Sequence, residues 1–574
     1  VKMDLSGEFI GISGYNNFGF ALSDLATARA AACSVGLHMT YTQPEVEKVL
    51  RNCNPKALMV TKEVVRQRKD RWWSIEDLEG KTNVTDVVIM NLDPKELASE
   101  QKRMDAKRVG KGRIRLHSLL EFVQDPEPSP ENEVLVDPYK CKGISAEHPV
   151  DTSKKVNLFT LMYTSGSSGT PKGVMVSTET FMKDIGEPTS ASPLVTVSYI
   201  PLSHSTDRVK VWEFLVNGGR VGFAFYDALN WYAHEHSKKE GLLDSSGSEN
   251  NVRQLFEQVR FLKPAAMSCP PRIWNGLYYI FQQVCKRRLT EGLSPTKADE
   301  NALNYIREFF GPRVSFLATG GAPTRPDVIE FARRLFPKAK FVDSYGTSES
   351  GAITSNGNPV WSKGVKVRLA DRPEFGLVGL DEGEIQVKSP QVHIGYYKNS
   401  KKTKEAWLGD GWYATGDLGR MDEYGKLHVL ERISAVRCLR DGSMVFPGKL
   451  ETIVEQAELV YQAVLDVRPD KNVVGMVVVL DSIAIRRYCA EKGMKMNGIE
   501  SESKVCDEIL CQISIAASTD AKKLNLHPRA MILTLKPWTV ENGLLTGSQK
   551  KRTKLILGQF EKELGKAYEL ATKL

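Results

Sequence analysis

Short apolar runs alternate with stretches of helical spacing over the first sixty residues. Phe9–Ser13 (FIGIS) reads as a strand, the alanine-rich residues 17–35 as helical, residues 44–52 (PEVEKVLRN) as a helix opened by its proline, and residues 56–60 as another strand. This alternation predicts a parallel sheet with helices on its faces. From about residue 61 to 153 the pattern loosens. Trp72 and Trp73, the charge-rich residues 95–111 and the DPEPSPEN stretch at 125–132 predict surface excursions and a linker, with the tryptophans packing a small side core. Residues 156–163 (VNLFTLMY) and 195–201 (VTVSYIP) read as further strands. Ile273, Leu277, Ile280 and Val284 recur at helical spacing, which a core-facing stripe explains as well as an apolar tunnel does. Near the end, residues 464–467, 473–480 and 530–535 read as strands and 503–516 as a helix.

At 574 residues the chain exceeds one ordinary core, so two or more domains are expected. Its 41% hydrophobic and 26% charged residues are those of a globular protein, and no uninterrupted apolar run is long enough to span a bilayer. The first residues, VKMDLSGEF, lack a signal-peptide core, which makes an intracellular location the default, in the cytoplasm or at the cytoplasmic face of a membrane. Nine cysteines without pairwise or metal-type spacing argue for reduced, mostly structural thiols. The net charge of +8 is spread along the chain and singles out no partner: no nucleic-acid module is recognisable, and peripheral membrane contact stays open without an anchor. His234 and His236 flank Glu235 in HEHSKK, but a metal would need a third ligand, so a solvated turn leading into the DSSGSENN loop at 244–251 is the better reading.

Chemistry enters at residues 163–177, YTSGSSGTPKGVMVS. A short strand delivers a loop in which Gly166, Gly169 and Gly173 bring backbone N–H groups close to an anion. Thr164, Ser165, Ser167, Ser168 and Thr170 add hydroxyls and Lys172 a positive charge, the combination a polyphosphate needs. A Gly/Ser surface turn is the bland alternative, and the Gly-Lys-Ser/Thr ending of the P-loop is absent. The string resembles the phosphate-binding signature of the adenylate-forming, or AMP-binding, superfamily, which includes acyl-CoA synthetases, adenylation domains of peptide synthetases and carboxylic acid reductases, and luciferases.

The remaining motifs follow in the family's order. LATGGAP at 317–323 resembles the segment bordering adenine, with Gly321, Ala322 and Pro323 beside the base. In DSYGTSESG at 343–351, which alone would read as a turn, Ser344, Tyr345, Gly346 and Thr347 border the nucleotide in the resemblance. Tyr345 offers an aromatic face, Ser348 (Thr is usual) a hydroxyl for the α-phosphate, and Glu349 an oxygen ligand for Mg2+. DGWYATGDLGR at 410–420 supplies Asp417 for the ribose hydroxyls, with Arg432 downstream as a second contact. YIPLSHSTDR resembles the segment bordering the acyl pocket of acyl-CoA synthetases, which gives His204 a gating role; by itself such a histidine is most often structural. ENGLLTGSQKKRTK at 541–554 resembles the terminal lysine loop and places the catalytic lysine at Lys550, with Lys551 next in register.

The resemblance covers almost the whole chain and implies an α/β fold. A large N-terminal adenylate-forming domain of layered sheets and helices spans 1–432, lacking part of the family's usual start, and a small mobile α+β C-terminal lid spans 433–574. It implies that ATP and Mg2+ activate a carboxylic acid, most similar to a medium- or long-chain fatty acid, to an acyl-adenylate. Lys550, Lys172 and Glu349 are the catalytic residues so implied, and CoA is the co-substrate that takes the acyl group. An acyl carrier domain is the alternative acceptor, as in carboxylic acid reductases, and a non-catalytic nucleotide or acyl sensor is a reading of another class. Ser434 and Cys438 depart from the family's hinge, which bears on the second half-reaction rather than on ATP binding.

Overall fold

The computed structural model describes residues 6–572 apart from 40, 66–72, 79–80, 107–113, 120–143, 148–154, 165–170, 187–193, 225–246, 361–362, 376, 380, 441, 469–472, 517–525, 540–541 and 546–549. The first sheet takes β1 (Phe9–Ser13), β2 (Cys33–Gly36), β3 (Ala57–Val60), β4 (Asp86–Ile89), β5 (Arg115–Ser118), β6 (Ile144–Glu147), β7 (Lys155–Thr164) and β8 (Lys172–Ser177). Their order is β5-β4-β3-β1-β2-β7-β6, with β8 also paired to β7. From β5 through β7 neighbouring strands are parallel; β6 and β8 run antiparallel to β7. Both faces are covered, as parallel strands require. Leu58 and Val60 enter one core with Val35 and Leu161, while Ala57 and Met59 enter another with Ile10, Leu202 and Val211.

The second sheet is β9 (Val195–Ser198), β10 (Arg220–Phe223), β11 (Ala266–Ser268), β12 (Phe316–Gly320), β13 (Lys340–Thr347), β14 (Gly351–Ser355) and β15 (Asn358–Pro359), in the order β10-β9-β11-β12-β13-β14-β15. It is parallel as far as β13, and its own core includes Trp274, Leu277, Ile280 and Phe310. The stripe Ile273, Leu277, Ile280 and Val284, on the helix Pro271–Thr290, packs in or against that core, and Ile273 also reaches the cleft described below. An antiparallel meander follows: β16 (Lys366–Ala370), β17 (Glu382–Lys388), β18 (Tyr413–Met421) and β19 (Leu427–Arg432). After the ribbon β20 (Arg437–Cys438) and β21 (Met444–Val445), a three-stranded sheet of β22 (Val460–Asp466), β23 (Val474–Leu480) and β24 (Leu526–Thr534) builds a separate core around Val474, Met476, Val478, Ile509 and Leu533.

Several sequence expectations are corrected. The helix expected over 17–35 is Phe18–Arg29; Ala31 then adopts φ 54°, and Cys33–Gly36 is a wholly buried strand, because four small or β-branched residues fit between β1 and β7. The surface excursion expected at 95–111 is largely the helix Pro94–Ala106, started by Asp93, whose carboxylate accepts from Lys95 N. The strand expected over 195–201 ends at Ser198, since the Asp207 carboxylate takes Tyr199 N and the Asn16 amide donates to Ile200 O. The loop expected at 244–251 is helical from Gly247. Trp73 is buried in the main core, its indole donating to His38 O at 3.1 Å. Trp72, residues 125–132 and the HEHSKK cluster lie outside the described residues.

Candidate active site

The carboxyl ends of β12 and β13 meet at one wall of a deep cleft, where ligands bind in open α/β sheets. At the end of β12, a Cβ on Gly320 would stand 2.4 Å from Ser344 O, and Gly321 takes φ +81°, so the GGAP turn lies flush against β13 as no bulkier residue would allow. Thr319 and Thr324 close that turn with a 2.9 Å hydroxyl contact. A register shift at Tyr345/Gly346 marks a bulge in the β13–β14 pair. Tyr345 donates its hydroxyl to Asp417 Oδ2 at 2.7 Å. Asp417 and Arg432 face each other across β18 and β19, with Arg432 Nε 2.8 Å from Asp417 Oδ1. Burial pushes the Asp417 carboxyl up, and Arg432 and Tyr345 hold part of that rise back. Against the cost of its own burial, Arg432 is held charged by Asp417, Tyr345 and Glu349.

The opposite wall comes from the first sheet. Thr164 ends β7 and Lys172 begins β8, and the two pair across the mouth of the phosphate loop; Ser165, Gly166, Ser167, Ser168, Gly169 and Thr170 lie outside the described residues. Lys172 Nζ stands 5.1 Å from the centre of the Tyr396 ring, and Tyr396 donates to Glu349 Oε1 at 2.7 Å. Tyr396 thus ties the loop lysine to the carboxylate, and backbone bonds from Tyr397 N to Gly173 O and from Met175 N to Gly395 O fasten its segment to β8. Sequence reading did not single out Tyr396, because it stands 47 residues from Glu349 and belongs to none of the motifs.

His204 is the N-cap residue of the helix Ser205–Val216. That helix is anchored by Arg208, buried with Asp24: Arg208 Nε donates to Asp24 Oδ2 at 2.9 Å, and Trp212 Nε1 reaches the same oxygen at 3.0 Å. The His204 and His38 rings are 4.2 Å apart. Burial, the His38 ring and the Lys550 charge push His204 well below the ordinary histidine range, so the ring facing the cleft is neutral.

Lys550 and Lys551 have different surroundings. Lys551 Nζ is fixed to Glu451 Oε2 (2.7 Å), Glu455 Oε1 (2.9 Å) and Ala463 O (2.6 Å) inside the C-terminal unit. Lys550 lines the cleft, where burial and Arg432 lower its ammonium pKa and Asp417 and Glu349 oppose them. Thr164, Lys172, His204, Gly321, Ala322, Pro323, Ser344 to Glu349, Asp417, Arg432 and Lys550 therefore line one cleft, although they come from sequence segments nearly 400 residues apart. Residues 5–397 match the family model described as AMP-binding enzyme. The chain belongs to the AMP-binding enzyme family.

Among the relatives of this AMP-binding enzyme is a carboxylic acid reductase of Mycobacterium tuberculosis (strain ATCC 25618 / H37Rv), 25% identical over 95% of this chain and 42% of that protein. Another is the peroxisomal long chain acyl-CoA synthetase 7 of Arabidopsis thaliana, 26% identical over 74% of this chain and 63% of that protein. The chain thus spans less than two thirds of either relative. The crystal structure of the adenylation domain of a carboxylate reductase from Mycobacterium chelonae superposes with a TM-score of 0.78 over 98% of this chain and 81% of that one, at 24% identity. The AMP-binding enzyme has the fold of an adenylate-forming domain. No described helix is long and apolar enough to cross a membrane.

Proposed function

We propose that this enzyme uses ATP to activate a carboxylic acid, of the medium- or long-chain fatty class, to an acyl-adenylate and then passes the acyl group to CoA. The observation that carries the reading is the convergence on one cleft of Lys550, the Asp417–Arg432 pair, Glu349 and His204. In this reading the substrate carboxylate attacks the α-phosphorus of ATP; a P–O bond to the acid forms, the bond to pyrophosphate breaks, and no protein nucleophile is needed. Residues 433–574 act as a lid that carries Lys550 to the nucleotide. The Lys550 ammonium holds the attacking carboxylate and the α-phosphate together while charge gathers at phosphorus. Lys172 and the loop hold the outer phosphates, Asp417 and Arg432 the ribose, and Tyr345 and the GGAP turn the base. His204, being neutral, borders the acid without trapping it as an ion pair.

Glu349 suits Mg2+. Tyr396 donates to Oε1, and the carboxylate is a hard oxygen donor; no group of three His, Cys, Asp or Glu among the described residues could hold a metal by itself. A single protein carboxylate beside phosphate oxygens and water is the way Mg2+ is commonly held. When bound, the ion would neutralise phosphate charge.

The likeness to a carboxylate reductase's adenylation domain over nearly the whole chain supports a second reading, in which a carrier's phosphopantetheine thiol replaces CoA. The test is pyrophosphate and AMP release from ATP and Mg2+ with a chain-length panel of carboxylic acids, with and without CoA. Acyl-CoA formation supports the synthetase reading, and adenylate without acyl-CoA supports the carrier. No adenylate from folded, ATP-binding protein would refute both and leave the sensor.

A further inference from the structure

We infer that His38 is a positioning residue, whose single neutral imidazole braces the entry to the phosphate loop on one side and the His204 gate on the other. The assignment rests on reading this cleft as an ATP and acid site. His38 follows β2 and is 8% exposed. Its Nε2 is 3.1 Å from Tyr163 O, and its Nδ1 is 2.6 Å from Ser203 Oγ. A carbonyl only accepts, so Nε2 carries the proton; Nδ1 then has a lone pair and accepts from the Ser203 hydroxyl. This arrangement uses both nitrogens of a neutral ring, and burial pushes His38 down to about 4, in keeping with it.

The two partners belong to different halves of the proposed reaction. Tyr163 immediately precedes Thr164, where β7 ends and the phosphate loop begins, and the Tyr41 hydroxyl also reaches Tyr163 O at 3.3 Å. Ser203 immediately precedes His204, whose ring lies 4.2 Å from that of His38 at 32°. Trp73 Nε1 in turn holds His38 O. A shift of the imidazole would therefore move both the direction in which the loop leaves β7 and the face that His204 shows to the acid. A histidine that only fills space would show no preference between its two nitrogens, and this gives a test.

A Gln side chain places its amide nitrogen near the Nε2 position and can still donate to Tyr163 O, whereas an Asn amide sits nearer Nδ1 and Phe keeps only the ring. ATP and AMP affinities would be measured by calorimetry for the whole chain and for H38Q, H38N, H38F and S203A, with steady-state KM for the preferred acid. H38N and H38F are expected to weaken ATP about tenfold, the loss of roughly one hydrogen bond's positioning, with AMP affinity held within about twofold. H38Q is expected to keep ATP affinity, and S203A to raise the acid KM several-fold at unchanged ATP affinity. Equal weakening of ATP and AMP in H38F, or unchanged ATP affinity in both H38N and H38F, would overturn the assignment. If H38F does not fold, the contrast between H38Q and H38N decides. A wild-type chain that binds no ATP would overturn the functional reading and this assignment together; failure of the variants alone to differ overturns only the latter.

Discussion

Lys550 and Lys551 are chemically identical neighbours in different surroundings, and the proposed function gives them different work. Lys551 is raised above the ordinary lysine value because Glu455 and Glu451 outweigh the cost of its burial. Lys551→Ala would leave two carboxylates without their cation and is expected to cost about 3 kcal/mol of stability, read from denaturant midpoints. Lys550→Ala is expected to leave stability within about 0.5 kcal/mol while slowing adenylation at least ~100-fold, measured as pyrophosphate release. The reverse pattern would show that the motif register is off by one. Motif alignment proposes Lys550 with Lys551 next in register. What distinguishes their surroundings is Glu451 and Glu455, about a hundred residues upstream on and beside the helix Pro447–Val454, and no local pattern announces that they will meet Lys551. His38 was illegible for the same reason: a single histidine after a strand carries no signal until Ser203 and Tyr163 are folded onto it.

At the scale of elements, some strands and helices were readable to within a residue or two, while the strands expected over 464–467 and 530–535 begin four residues earlier, at Val460 and Leu526. Phe9–Ser13 and Ser503–Ala516 have the expected bounds, whereas Cys33–Gly36 was hidden by the alanines before it and Pro94–Ala106 by its charges. Edge strands add a property that depends on pairing. β4 and β5 are joined at Asp86, which meets Arg115 Nη2 at 2.8 Å and His117 Nε2 at 2.9 Å. Against the cost of burial, these partners and Thr85 hold the Asp86 carboxyl down at about 2, below its ordinary 3.8. A depressed carboxylate stabilises the fold above its unfolded value. That contribution, on the order of 1 kcal/mol after screening at the exposed Arg115, should therefore be full above about pH 4 and lost as pH falls toward 2. Asp86→Asn is expected to abolish this part of the acid dependence in urea unfolding followed between pH 2 and 6; an unchanged slope would place the acid sensitivity elsewhere.

At the scale of the molecule, the proposed lid, residues 433–574, carries Lys550, and polar contacts among the described residues join it to the residues before it. Lys286 Nζ is 2.8 Å from Glu458 Oε1, Arg325 Nη1 donates to Glu455 O at 3.1 Å, and Arg272 Nη2 is 3.5 Å from Tyr461 Oη, so the large unit offers cations along this rim. On another side the polarity reverses, with Arg552 Nη1 3.7 Å from Glu45 Oε2. Lys286 and Glu458 are both about half exposed, so their pair contributes no more than about 1 kcal/mol. The same energy is a factor of about five in an equilibrium between two poses of a lid. Lys286→Glu sets two acids against each other at this rim. It is expected to slow acyl-adenylate formation about three- to tenfold in a single-turnover quench, with the unfolding midpoint unchanged. Capture of preformed adenylate by the thiol should be unaffected, because that step does not need Lys550 at the nucleotide. Equal slowing of both steps would mean that the contact supports the fold in general, and no slowing would mean that the buried contacts around Lys550 alone set the pose.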